Sequence, residues 1–251
     1  MKIVALYDIH SNLPALDAVL QEVKQERPDL ILIGGDMVPG PMPRAVLERL
    51  LDLGEAVHFL RGNCEREVVA AFDGFPFPPG MSEETREATR WTARQLTRSQ
   101  RDFLAGLPEQ ASLSVDGLGE VLFCHGSPRS DEELITAATP EERLRALLVG
   151  TRQQVIVCGH THMQFDRSID GKRIVNAGSV GMPYGEAGAY WLLLGPEIQL
   201  RRTRYDLEEA AARIRASGYP LAQDFAENNV LKPPTEAEAI TVFERMAEER
   251  A

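Results

Sequence analysis

Two histidines, His160 and His162, close the segment Cys158-Gly159-His160-Thr161-His162, directly after the run Val155-Ile156-Val157. A short β-branched run predicts a buried strand, so both imidazoles stand at its C-terminal end. In extended backbone, side chains two residues apart leave on the same side, which suits one metal ion or two adjacent ones. Asp8 and His10 repeat that spacing after the apolar run 2–7. Asp36 follows Gly34-Gly35 at the end of the run 29–33, and the glycines let the backbone turn sharply there. Asn63 follows Gly62 after residues 56–60, and His125 follows residues 120–124. Four of the five histidines thus stand at predicted strand ends. The fifth, His58, falls inside a strand and reads as an ordinary, partly buried side chain. Each site residue alone has a plainer role: Asp8 or Asp36 as a helix cap, Asn63 as a turn residue, His125 packed on Ser127. Seven metal-capable residues at strand ends are hard to obtain by chance. Two carboxylates, an amide oxygen and four imidazoles suit two borderline divalent ions such as Mn²⁺, Fe²⁺, Zn²⁺ or Co²⁺.

The elements that must position these residues alternate strand and helix through the first 65 residues, an α/β pattern whose ligand sites lie at the carboxyl ends of the strands. Ser11 or Asn12 can cap a first helix with Leu13, Leu16, Leu20 and Val23 on one face, and Pro14 suits its first turn. Asp17 reads as solvated. Residues 44–53 form a second helical pattern. Residues 73–80 are a Pro/Gly loop, and helical pattern returns over 82–104, so 73–105 is either a lid or a packing insertion. Asp116-Gly117-Leu118-Gly119 separates two strands of a hairpin, Asp170-Gly171 marks a tight turn between residues 164–169 and 172–176, and Gly195-Pro196 separates two more strands. The second half is expected to be antiparallel, as a second sheet packed on the first. From residue 205 the chain is charged and helical, with Asp206 as a cap, a break at Pro233-Pro234, and Thr235 capping a last helix. This 205–251 extension reads as packing or oligomer surface.

Composition narrows the function. The 251 residues support one sizeable domain, and no stretch is long and apolar enough to cross a membrane. The N-terminus lacks the apolar region of a signal peptide, which argues for the cytoplasm. A net charge of −11 disfavours a protein that coats nucleic acid, so no stable nucleic-acid complex is expected. It is compatible with a small anionic substrate, because divalent cations reverse the local sign. Three cysteines imply no disulfide framework, and Cys124 and Cys158 read as buried filler.

Taken in order, Asp8-x-His10, Gly35-Asp36, Gly62-Asn63-Cys64-Glu65, His125 and Gly159-His160-x-His162 resemble the calcineurin-like metallophosphoesterase superfamily, and the turn Asn176-Ala177-Gly178-Ser179 is similar to one in its small prokaryotic members. The resemblance implies a four-layer αββα sandwich with two central mixed sheets. It implies that Asp8, His10 and His162 hold one metal, that Asn63, His125 and His160 hold the other, and that Asp36 bridges both. Mn²⁺ is the leading candidate, with Fe, Zn²⁺, Co²⁺ or Ni²⁺ as alternatives. Ions about 3.5–4 Å apart would share a hydroxide that attacks phosphorus in line. Position 64 departs from the many members that carry histidine there as proton donor. Cys64 is either a thiol acid, with nearby cations lowering its pKa, or a spacer. Glu65, without a histidine to orient, is expected to meet Arg61, Arg66 or solvent. Small prokaryotic phosphodiesterases of the family share the cysteine, which favours a small phosphodiester substrate. A phosphoprotein phosphatase, a dinucleoside-polyphosphate hydrolase and a metal-depleted scaffold are the alternatives. Asn12 and Arg61 are candidate phosphate contacts; a helix cap and a salt-bridge partner are their other readings.

Overall fold

The computed structural model describes residues 1–250. Four short strands build its centre: β1 (Ile3–Leu6), β2 (Leu30–Ile33), β3 (Val57–Phe59) and, later in the chain, a strand ending at Cys158, all of them apolar except for His58 in β3. The first three pair in parallel. Between them lie α1 (Leu13–Glu26) and α2 (Pro43–Leu51), and α3 (Asn63–Phe72), α4 (Glu83–Gln95) and α5 (Arg98–Ala105) follow. Then come β4 (Gln110–Val115), β5 (Gly119–Cys124), α6 (Glu141–Leu147), β6 (Val155–Cys158), β7 (Gln164–Ile169), β8 (Lys172–Ala177), β9 (Ala189–Leu194) and β10 (Ile198–Thr203). The chain ends in α7 (Leu207–Arg215), α8 (Ala222–Phe225), one π-helical stretch (Ala226–Leu231) and α9 (Glu236–Glu249).

The strands form two five-stranded mixed sheets, in the orders β10-β9-β1-β2-β3 and β4-β5-β6-β8-β7. The expected division of the chain between sheets is therefore corrected. The β9–β10 hairpin does not join a second, purely antiparallel sheet but extends the first one, with Ile3, Val4 and Ala5 paired to Leu194, Leu193 and Leu192. Composition explains it: β9 is buried on both faces, and only a strand inside a covered sheet can bury both. Alternate residues sort into separate cores. Ile3, Ala5 and Tyr7 pack between the sheets with Phe123, Val157 and Leu192. Val4 and Leu6 face α1 and α2 through Leu16, Val19 and Leu47. On the far side Leu122, Cys124, Ile156 and Cys158 meet Leu144 and Leu147 of α6. The layering is αββα. From α4 to α5, Ala93, Leu96 and Leu104 enter the core beneath α1 and α2. The α7–α8 region forms a further cluster with Ala88 and Trp91 of α4. No helix is long and apolar enough to cross a membrane among the described residues.

Candidate metal centre

The carboxyl ends of β1, β2 and β3 meet those of β5 and β6 at one edge of the sandwich. Loop backbone joins them: Asp8 N–H donates to the Gly35 carbonyl at 3.1 Å, and Gly159 N–H donates to the His125 carbonyl at 2.9 Å. The loops are crowded. A Cβ on Gly159 would stand 2.5 Å from the Tyr7 ring and 2.6 Å from Asp8 Oδ2, and Gly35 holds φ at +97° beside Gly62 and His125.

The sequence reading placed His160 and His162 on extended backbone; the structure does not. Asp8, His10, Asp36, His160 and His162 all have φ between +44° and +65°. Non-glycine residues in the left-handed region cost about 1–3 kcal/mol each and concentrate at functional sites. The chain turns at each strand end instead of running on, and this separates the histidine pair. His162 joins Asp8 and His10, while His160 joins Asp36 and His125; within each group the ligand atoms lie within 4.8 Å of one another. His10 Nε2 and His162 Nε2 face each other at 3.1 Å, and His162 Nε2 is 3.4 Å from Asp8 Oδ1. Asp36 Oδ2 lies 3.4 Å from His125 Nε2 and 3.8 Å from His10 Nε2, so it touches both groups.

The donor set fits cations. Asp8 Oδ1, Asn63 Oδ1, His125 Nε2 and His160 Nε2 are buried and have no hydrogen-bond partner in the protein. Each such atom left unpaired costs about 1–3 kcal/mol. Asp8, His125 and His160 belong to the clustered donors, where a divalent ion would satisfy these atoms, and Asn63 directly precedes Cys64, whose N–H meets Asp36. The opposite ring nitrogens are occupied: His125 Nδ1 donates to the Gly34 carbonyl at 3.0 Å, and His162 Nδ1 donates to the Met182 carbonyl at 2.7 Å. That tautomer leaves each Nε2 lone pair free for a metal.

Charge within the cluster is strongly coupled. Burial opposes ionisation of Asp8 and Asp36, but the surrounding imidazoles outweigh it and hold both carboxyls below the usual range. Burial, helped by the neighbouring histidines, pushes His10 and His160 down to about 4. Burial also disfavours charge on His125, yet Asp36 and Asp8 prevail and lift it to about 10.

Several sequence expectations change here. Glu65 does not meet Arg61, Arg66 or solvent. It is fully buried, and its carboxylate accepts four backbone N–H bonds, from Asp36 (2.8 Å), Met37 (2.7 Å), Val38 (3.3 Å) and Gly62 (2.8 Å). It ties the Asp36 loop to the first turn of α3, a helix that the sequence reading missed because it begins inside the Gly62-Asn63 motif. Cys64 lies with His10 and Asp36, its N–H donating to Asp36 Oδ1 at 3.0 Å. Burial and the Asp36 charge push its thiol well up. Asn12 is buried and engaged at both ends: its oxygen caps α1 at Ala15 N (3.2 Å) and its amide donates to the Gly181 carbonyl (3.0 Å). Arg61 pairs with Glu109, and Arg66 pairs with Asp131 and Glu132. Both arginines flanking Asn63 are thus already matched to carboxylates. His58, expected to be partly buried, is exposed.

The Asn176–Ser179 turn supports the site from behind. Asn176 Nδ2 donates to the Gly159 carbonyl at 2.6 Å, and Ser179 Oγ donates to the Asp8 carbonyl at 2.7 Å. The sequence marks the Asn176–Ser179 turn only by resemblance and gives no sign of the Glu65 contacts to Asp36, Met37 and Val38, because these are backbone N–H groups distant in the chain.

Comparison with known proteins agrees with the geometry. The uncharacterized protein MJ0912 of Methanocaldococcus jannaschii is 27% identical over 242 residues, covering 87% of this chain and 93% of its own length. Phosphodiesterase YfcE of Escherichia coli is 31% identical over 99 residues, 36% of this chain and 54% of YfcE. The crystal structure of a metallophosphoesterase from Sphaerobacter thermophilus superposes with a TM-score of 0.72 at 26% identity, over 90% of this chain and 97% of that one. Residues 1–195 match the calcineurin-like phosphoesterase superfamily domain, and the chain, a hydrolase of phosphate esters, belongs to that superfamily.

Proposed function

We propose that the protein is a dinuclear metal-dependent phosphodiesterase acting on a small substrate. The observation that carries this reading is that Asp8 Oδ1, His125 Nε2 and His160 Nε2 are buried without a partner and belong to residues clustered with His10, Asp36 and His162, with Asn63 Oδ1 a fourth partnerless buried atom at the start of α3. Asp8, His10 and His162 would hold one ion, Asn63, His125 and His160 the other, and Asp36 would bridge. Such ions supply Lewis-acid activation of the phosphoryl group and of water. The chain's own part is to hold the donors in place. Glu65 fixes the Asp36 loop, the Gly34 and Met182 carbonyls set the imidazole tautomers, and the Asn176 turn braces the β1 and β6 loops.

Charge supports a diester over a monoester. With Arg61 and Arg66 both paired, the flanks of Asn63 offer little compensation for a dianion. Glu67, one turn on, is itself an acid that burial and Asp36 push up to about 7. A monoanionic diester is easier to accept there than a monoester or a polyphosphate. The test is Asp36→Asn: loss of the bridging carboxylate should abolish hydrolysis and weaken binding of both ions. Full retained activity would sink the assignment.

A further inference from the structure

The chain beyond residue 195 lies outside the matched superfamily domain, yet its last helix reaches the metal cluster through two aromatic rings. Tyr184 stacks on His162, with ring centroids 5.7 Å apart and planes inclined by 26°. Phe243 of α9 packs edge-on against Tyr184, also at 5.7 Å, with an angle of 73°. Three rings therefore form a column from the helix to a ligand. The loop that carries Tyr184 also supplies the Met182 carbonyl that fixes His162 Nδ1 at 2.7 Å. That loop is pinned at both ends. Gly181 N–H donates to the Asp8 carbonyl at 3.0 Å, and Gly185 N–H donates to the Pro234 carbonyl at 2.8 Å, one residue before the α9 cap.

The helix itself is lightly seated. Ala239 is its single buried residue, and Val242 is 42% exposed. Its polar anchor is Glu244, which accepts from Thr139 at 2.9 Å and from Thr136 at 2.5 Å and pairs with Arg143. Phe243 is half-buried, and its ring packs on Tyr184.

We propose that Phe243 and Tyr184 are positioning residues for His162, so that docking of the C-terminal helix and filling of the metal centre are one coupled equilibrium. The inference rests on the dinuclear reading above. Groups that orient a metal-binding histidine typically change metal affinity about 10–100-fold when removed. Coupling is reciprocal, so an ion held by His162 must also tighten α9.

The test is a Mn²⁺ titration of chelator-stripped full-length protein, with free Mn²⁺ read by electron paramagnetic resonance. Wild type should bind two ions. Phe243→Ala should leave one step unchanged and weaken the other about tenfold. Phe243→Tyr should restore it, and Tyr184→Leu should reproduce the selective loss if Phe243→Ala folds poorly. Amide exchange over 236–249 should slow on Mn²⁺ addition in wild type and not in Phe243→Ala. Equal weakening of both steps, which a general structural defect gives, or weakening of neither, overturns the inference. A wild type that binds no Mn²⁺ overturns the dinuclear reading, and this inference with it.

Discussion

Replacing Glu65 by Gln removes one acceptor oxygen from a fully buried carboxylate that now serves four N–H donors. Oε2 accepts from Asp36 and Gly62, and Oε1 accepts from Met37 and Val38. Glutamine keeps one oxygen and turns an NH₂ toward the other two donors. Each buried donor left unpaired costs about 1–3 kcal/mol, so the two together cost about 2–6 kcal/mol before relaxation. A loss near 3 kcal/mol would lower Tm by about 6–12 °C in a chain of this size. Burial and the Asp36 charge push Glu65 up to about 7, so the comparison belongs at pH 8, where the carboxylate is ionised. The assay is thermal unfolding by circular dichroism with chelator present, which separates folding from metal binding. Because either placement of the glutamine amide loosens the Asp36–Val38 backbone, metal affinity should fall by about tenfold or more as well. A metal-free Tm within 2 °C of wild type would refute the claim that Glu65 ties the two loops together (about 1 kcal/mol at most).

Three further outcomes are expected. Gly159→Ala should weaken metal binding by about tenfold or more, since its Cβ would press on Tyr7 and Asp8; unchanged affinity in a calorimetric titration would contradict the crowding at this turn. Cys64→His should raise turnover of diesters with poor leaving groups, if proton donation is what the buried thiol lacks, while an unchanged leaving-group dependence would show that position 64 is not the acid. Metal binding at pH 7 should release protons, because His125, lifted to about 10 by Asp36 and Asp8, and His162, raised by Asp8, must be neutral to coordinate. Affinity should accordingly rise with pH up to about 10, and calorimetry in buffers of different ionisation enthalpy would count the protons.

Much of the site was legible before the fold. Apolar runs lead to Asp8, Asp36, Asn63, His125 and His160, and strand periodicity with turn dipeptides places these residues at the carboxyl ends of strands, without telling which sheet each strand joins. What periodicity does not carry is backbone handedness. Asp and His tolerate the left-handed region without glycine, so nothing in the letters distinguished extended from left-handed backbone at His160 and His162. That difference sends the two histidines to separate groups. Glu65 was unreadable for another reason: a buried carboxylate whose partners are backbone N–H groups leaves no complementary side chain to find. The β9–β10 hairpin and the Phe243–Tyr184–His162 column depend on contacts between distant segments, which local pattern does not encode.

The central claim is that this cluster binds metal and uses it to cleave phosphodiesters. The most direct measurement is hydrolysis of bis(p-nitrophenyl) phosphate beside p-nitrophenyl phosphate, with Mn²⁺ and after chelation. The account predicts faster cleavage of the diester, abolished by chelator and restored by Mn²⁺. Chelator-resistant cleavage, or cleavage of the monoester alone, would contradict it.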